Sequence, residues 1–262
     1  MPVVETVADV SRLSRGPGTA ILGGGTLVMR QVNYGAAGID RIVRVTDPAW
    51  REIRTDGGRV RIGAGATMAM LAANRDTAAL APAASVVGGP AIRNMATVGG
   101  NLFAPHPYGD LAAMLLALDA QVIFAGGRTE GIEAFLGRRD GERDVVVAVT
   151  VPRVEARATA FRKVSRTKPK GVSLMSIAAW LPRDGGRLGQ VRIAFGAMGP
   201  APVRAQWAEA ALTGQPLDER TIARAADAAC EGLSPPDDPL ASAWYRREVA
   251  PVHLRRLLEG MR

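Results

Sequence analysis

The chain has 262 residues, 47% of them hydrophobic, and its 33 Lys and Arg against 25 Asp and Glu give a formal net charge of +8. That composition excludes a disordered chain, the length suffices for a sizeable core, and no stretch reaches the roughly 18 uninterrupted apolar residues of a membrane span. A single cysteine, Cys230, excludes an intrachain disulfide or a cysteine-ligated cluster held by this chain alone, and His106 and His253 are too few for a zinc or two-histidine iron site.

Met1 to Gly18 carries Glu5, Asp9, Arg12 and Arg15 without an apolar core, so no secretory signal is read there and a cytoplasmic location is expected. Thr19-Ala20-Ile21-Leu22 reads as a short strand running into Gly23-Gly24-Gly25-Thr26-Leu27, with a helical start at Thr26. Strand, glycine turn and helix N-terminus together place phosphate against backbone amides. The dinucleotide fingerprint is not met, because Gly23-x-Gly25-x-x-Val28 lacks the third small residue, and no GxxxxGK[ST] loop exists. A strand is expected around Ile39 to Val45, then a turn at Asp56-Gly57-Gly58-Arg59 and a strand at Val60-Arg61-Ile62. Thr67 can N-cap a helix through Met70 and Leu71.

Residues 97 to 120 are the most informative. Gly99 and Gly100 can take φ > 0 and approach a ligand closely, and their exposed N–H groups would make an anion nest. Asn101 can bridge loop and phosphate, or act as a turn residue in the left-handed region. Pro105 and Pro107 favour an extended loop around His106. Asp110 opens an apolar helix with Leu111, Met114, Leu115 and Leu118 on its periodicity, where its carboxylate can cap the helix, face the ligand loop, or do both. His106 is read as structural or at a ligand edge, and Tyr108 as a shield or a packing residue.

Gln121 to Phe124 and Val145 to Val151 are further strands, the second ended by Pro152. Thr159 to Val164, Ser173 to Leu181 and Gln190 to Gly196 read as a three-stranded antiparallel meander, with Val191, Ile193 and Phe195 alternating onto one face. From Arg204 the pattern is helical and Ala-rich, with Cys230 read as an inert buried hydrophobe. A Pro-rich break at residues 235–239 precedes a last helix, Ser242 to Leu258, that Pro251 must kink or restart. Thirty of the basic residues are arginine, scattered without aromatic interleaving, which argues against nucleic-acid binding. All three lysines, Lys163, Lys168 and Lys170, fall in one short stretch and suit a phosphate or ring edge, or a solvated loop.

These segments resemble the FAD-binding subunit of the molybdenum hydroxylases: the flavoprotein of carbon monoxide dehydrogenase, xanthine dehydrogenase and related aldehyde oxidoreductases. Ile21 to Met29 is similar to the family's first flavin loop, and Val60 to Thr67 to its Ile-Gly-Ala-x-x-Thr turn. Ile92 to Asn101 with Asp110 resembles its second loop, Val145 to Pro152 its Ile-x-x-Pro strand end, and Phe161 to Arg166 the strand that follows. Gly199 to Ala205 and Trp244 to Arg247 continue the likeness. The departures are a weaker N-terminal segment, Met1 to Leu13, and the helical Pro251.

The resemblance implies an α+β fold: a two-lobed PCMH-type FAD-binding domain over 1–154 (lobes about 1–55 and 56–154), then a smaller domain over 155–262 with a three-stranded antiparallel sheet and helices. It implies non-covalent FAD held by Ile21, Leu22, Gly23, Gly24, Gly25, Thr26, Leu27, Ile92, Ala96, Thr97, Gly99, Gly100, Asn101, Phe103, Asp110, Val145, Val146 and Lys163, with no metal and no acid–base catalyst on this chain. Electrons would reach FAD from iron–sulfur clusters on a small subunit, a molybdenum cofactor would sit on a large subunit, and a heterotrimer or dimer of heterotrimers is expected. Two other readings are a self-contained flavoenzyme of the vanillyl-oxidase or UDP-acetylenolpyruvoylglucosamine reductase type, and a basic non-enzymatic scaffold. A yellow chain with two partners, a yellow chain active alone, or a colourless chain would separate the three.

Overall fold

The computed structural model describes residues 2–9, 13, 16–35, 38–167 and 171–262. The first sheet holds β1 (Val3–Val7), β2 (Thr19–Leu22) and β3 (Arg41–Val45) in the order β1-β3-β2, all parallel, with helix α1 (Val28–Asn33) as the crossover from β2 to β3. Central β3 buries Ile42, Val43 and Val45 and leaves Arg41 and Arg44 exposed.

The second sheet is antiparallel, in the order β4-β5-β8-β6-β7, from β4 (Ile53–Asp56), β5 (Arg59–Gly63), β6 (Gln121–Phe124), β7 (Thr129–Gly131) and β8 (Val146–Pro152). The expected turn at Asp56–Arg59 joins β4 to β5, with Gly57 and Gly58 at φ +53° and +79°, as a tight hairpin requires. The second sheet begins at Ile53. Between β5 and β6 run α2 (Met68–Ala73), α3 (Ala81–Ser85), α4 (Pro90–Met95), α5 (Val98–Leu102) and α6 (Asp110–Ala117), and α7 (Ile132–Arg138) follows β7. Thr67 N-caps α2, accepting from the Met70 N–H at 3.2 Å. Every residue of α6 is buried, so the helix is apolar all round, as one packed on both sides must be.

The third sheet takes the order β14-β13-β10-β9, from β9 (Thr159–Val164), β10 (Met175–Trp180), β13 (Arg192–Gly196) and β14 (Val203–Arg204). The hairpin β11 (Arg183–Asp184) and β12 (Arg187–Leu188) projects between β10 and β13. The expected three-stranded meander is thus four-stranded. Its extra strand, β14, has two residues and offers too short a pattern to read from sequence. One face of this sheet, with Ala178 and Ala194, packs on α6; the other, with Ile177, Ala179, Ile193 and Phe195, shares a core with α8 (Gln206–Leu212), α9 (Glu219–Asp227) and α10 (Ala243–Glu259).

Pro251 lies inside α10 without ending it. A helical proline frees the carbonyl four residues earlier, here that of Arg247. Cys230, half-buried in the turn after α9, donates its thiol to that carbonyl at 3.6 Å. Burial pushes the Cys230 thiol up, which keeps the proton in place. The residue expected to be an inert hydrophobe therefore supplies a hydrogen bond that the proline costs the helix.

Candidate functional site

Where β2 ends, the chain turns through Gly23-Gly24-Gly25-Thr26. Only Gly25 has positive φ, +74°. Gly23 and Gly24 are needed for space: a Cβ on Gly24 would sit 1.5 Å from the Met95 carbonyl oxygen, and one on Gly23 would sit 2.4 Å from Thr97 Oγ1. The two glycine segments therefore pack directly on each other. Among the described residues, the N–H groups of Gly24, Gly25 and Thr26 meet no acceptor. Helix α1 begins at Val28 with Leu27 as N-cap and no side-chain cap bond, two residues after the expected helical start at Thr26.

The second segment differs from expectation. Thr97 to Asn101 forms the N-cap and first turn of α5, and neither Gly99 nor Gly100 has positive φ. The Gly100 N–H donates to Thr97 Oγ1 at 3.1 Å, the Gly99 N–H to the Ala64 carbonyl at 2.8 Å and the Val98 N–H to the Ala66 carbonyl at 2.9 Å. The expected anion nest is absent because the fold consumes its donors. Gly99 instead allows α5 to lie on Ala64, whose Cβ would be 3.1 Å from an added Cβ. Asn101 is buried within α5, not in a left-handed turn, and its Oδ1 accepts the Leu111 N–H at 3.1 Å.

Helix α6 is capped by Gly109 in the left-handed region, at φ +94°, and Asp110 makes no side-chain cap bond. Its buried carboxylate accepts from Lys163 Nζ at 2.9 Å and from the Ser173 hydroxyl. Lys163 also donates to the Val86 carbonyl at 3.3 Å. The pair joins the start of α6 to β9, and each charge satisfies the other where water is scarce.

These elements enclose a cleft of about 720 Å³, within the roughly 300–1,000 Å³ of ligand sites and toward their upper end. Ile21, Leu27, Ile92, Ala96, Phe103, Val145 and Val146 give it apolar walls. Gly23, Gly24, Gly25, Thr26, Thr97, Gly99, Gly100, Asn101, Asp110 and Lys163 give its polar lining. Of the residues implied by the sequence, only Leu22 does not line it. Tyr108 does, and its hydroxyl accepts from Arg30 Nη1 at 3.3 Å. Lys168 and Lys170 lie outside the described residues.

The cleft also uses residues that sequence reading missed: Trp50, Val87, Gly88 and Val172 line it, and Ser173 holds Asp110. Gly88, at φ +54° in Gly88-Gly89-Pro90, carried a turn signal. The others are ordinary residues brought there by tertiary contacts. Near the rim formed by Arg143 and Asp144, burial pushes the Glu142 carboxyl up, but the Asp144 N–H, Arg128 and Arg138 outweigh it and hold it at about 2. Among the described residues, no group of three or more His, Cys, Asp or Glu could hold a metal ion, and no helix is long and apolar enough to cross a membrane.

Residues 3–154 match the family model described as the FAD binding domain in molybdopterin dehydrogenase, and residues 159–261 match the CO dehydrogenase flavoprotein C-terminal domain. The xanthine dehydrogenase FAD-binding subunit of Escherichia coli O157:H7 is 28% identical over 271 residues, covering 97% of this chain and 92% of that one. The carbon monoxide dehydrogenase medium chain of Hydrogenophaga pseudoflava is 27% identical over 271 residues, covering 98% and 93%. A solved structure of carbon monoxide dehydrogenase from the same organism, lacking the Mo-pyranopterin moiety, superposes with a TM-score of 0.87 at 26% identity over 99% of this chain and 96% of that one.

Proposed function

Since the chain belongs to the family of FAD-binding domains of molybdopterin dehydrogenases, and is an oxidoreductase component with FAD as its cofactor, we propose that it is the electron-transfer subunit of a multi-subunit molybdenum hydroxylase. In this reading a large subunit hydroxylates the substrate at a molybdenum cofactor, and a small iron–sulfur subunit passes the electrons on. The assembly is a heterotrimer or dimer of heterotrimers in the cytoplasm. The observation that carries the reading is the cleft itself, large enough for a dinucleotide and walled by both glycine segments. The single cysteine supports a division of labour in which clusters reside on another chain.

Bound FAD supplies the redox chemistry, accepting electrons singly and releasing them in pairs, while the protein supplies binding and orientation. We assign residues 1–154 as the FAD-binding domain and 155–262 as the C-terminal domain, with Lys163 reaching from the second to close the site. The free N–H groups of Gly24, Gly25 and Thr26 bind the diphosphate, as unpaired amides beside a glycine turn favour anions. The carboxylate of Asp110, oriented by Lys163 and Ser173, accepts from flavin hydroxyls. Ile21, Ile92, Phe103, Val145 and Val146 exclude water from the rings.

Acid precipitation of the purified protein should release the flavin into the supernatant, and the natively purified complex should contain molybdenum and iron. Covalently retained flavin, or full substrate turnover by the isolated chain, would overturn this reading in favour of a self-contained oxidase.

A further inference from the structure

One wall of the cleft is built from a segment with few bonds of its own. Phe103, Ala104, Pro105, Pro107, Tyr108 and Gly109 all line the cavity. The two prolines have no N–H to give. The backbone bonds within the segment and to α5 are those from Phe103 to Gly99 at 3.4 Å, from Ala104 to Asn101 at 3.2 Å and from Tyr108 to Pro105 at 2.9 Å. His106, in the middle of this wall, does not face the cleft. Its Nε2–H donates to Asp238 Oδ2 at 2.8 Å, across 132 residues of chain.

Asp238 is a fixed anchor. Its Oδ1 accepts the N–H groups of Leu240 at 2.8 Å and Ala241 at 3.1 Å, and its Oδ2 accepts Arg246 Nη2 at 2.7 Å besides His106. Arg246, on α10, is wholly buried, and its guanidinium also donates to the carbonyls of Leu174 at 2.9 Å and Ala241 at 2.8 Å. Burial pushes the Asp238 carboxyl up, but the Ala241 and Leu240 N–H groups, Arg246 and His106 outweigh it and hold it at about 2. The acceptor that His106 meets is therefore a permanent anion braced by the C-terminal helix.

We infer that His106 is a positioning residue: through Asp238 it fastens the wall from Phe103 to Asp110 to α10, and so sets how slowly a ligand leaves the cleft. The inference rests on reading the cleft as the FAD site. The bond is charge-assisted and has one solvent-facing side, His106 being 36% exposed by side chain. Replacing His106 therefore loosens the wall without leaving a buried cavity, whereas replacing Asp238 would strand Arg246 and threaten the fold.

The test uses the full chain loaded with FAD and compares His106→Phe with His106→Gln, whose amide nitrogen can occupy the place of Nε2. Flavin release on dilution, followed by its fluorescence, should be about tenfold or more faster in His106→Phe, the range expected for one charge-assisted bond. In His106→Gln the rate should return to within about threefold of wild type. Amide exchange of residues 104–110 should rise in the Phe variant and be restored by Gln. Unchanged release in His106→Phe, or equal acceleration in both variants, overturns the inference. Should the wild-type chain hold no flavin, the reading of the cleft fails, and unchanged exchange in His106→Phe would still overturn the clamp by itself.

Discussion

Gly23–Thr26 and Thr97–Asn101 look alike on paper, each a pair or triplet of glycines beside a threonine, and the fold uses them in opposite ways. The first keeps its amides: Gly24, Gly25 and Thr26 donate to no described residue, and one positive φ at Gly25 turns the chain. The second spends its amides on Thr97 and on the carbonyls of Ala64 and Ala66, and becomes a helix turn that supports its surroundings. The lesson is that a glycine can be required by a neighbour's position as much as by its own φ. Gly24 is the clearest instance, because the obstacle to a side chain there is the Met95 backbone of the other segment.

The largest effect is expected at Asp110, which lines the same cleft as both segments. Asp110→Ala strands Lys163 in a partly buried site, and breaking a buried pair costs about 3–5 kcal/mol. The unfolding midpoint in urea should fall accordingly and flavin content with it. Asp110→Asn should also be costly, since Asp110 makes no cap bond that an amide would preserve. Full stability in Asp110→Asn would show that the ion pair carries little.

Gly24→Ala comes next. Its Cβ meets immovable backbone, so the two segments must separate, at about 1–3 kcal/mol for overpacking. Purified protein should be largely flavin-free. Normal flavin content would mean that the segments need not touch.

Thr97→Val removes the cap of α5 and leaves the Gly100 N–H unpaired, at about 1 kcal/mol. It should lower thermal stability more than flavin affinity if the second segment acts as support. A large loss of affinity at unchanged stability would make Thr97 a direct ligand and erase the distinction.

Gly100→Ala should have the smallest effect on the fold, within about 1 kcal/mol, because the added Cβ meets only Thr97 Oγ1, at 3.1 Å, and helical alanine offsets part of the strain. Flavin titration then reads the cleft side alone: weakened binding at near-normal stability would place the ligand against Gly100.

Much of the fold was legible. The strands Thr19–Leu22, Gln121–Phe124 and Thr159–Val164 fall on their expected bounds, and Thr67 caps α2 as its position before an apolar helix suggests. These features are set within a few residues, by alternation, turn glycines and cap chemistry. The short β14 escaped because two residues carry no period, and the helix at Val98–Leu102 because paired glycines oppose helix locally and the Thr97 cap with the carbonyls of Ala64 and Ala66 holds it there.

The sequence by itself therefore determined the family, the α+β class, the main elements and a set of residues of which all but Leu22 line the cleft. Only the tertiary structure decided what each of them does. Asp110 finds Lys163 across 53 residues and Ser173 across 63, and His106 finds Asp238 across 132. Local propensity acts over a turn or two of chain, whereas these partners are chosen by how α6, β9 and α10 pack. A carboxylate's role as cap, ion-pair partner or anchor is fixed by what that packing places against it.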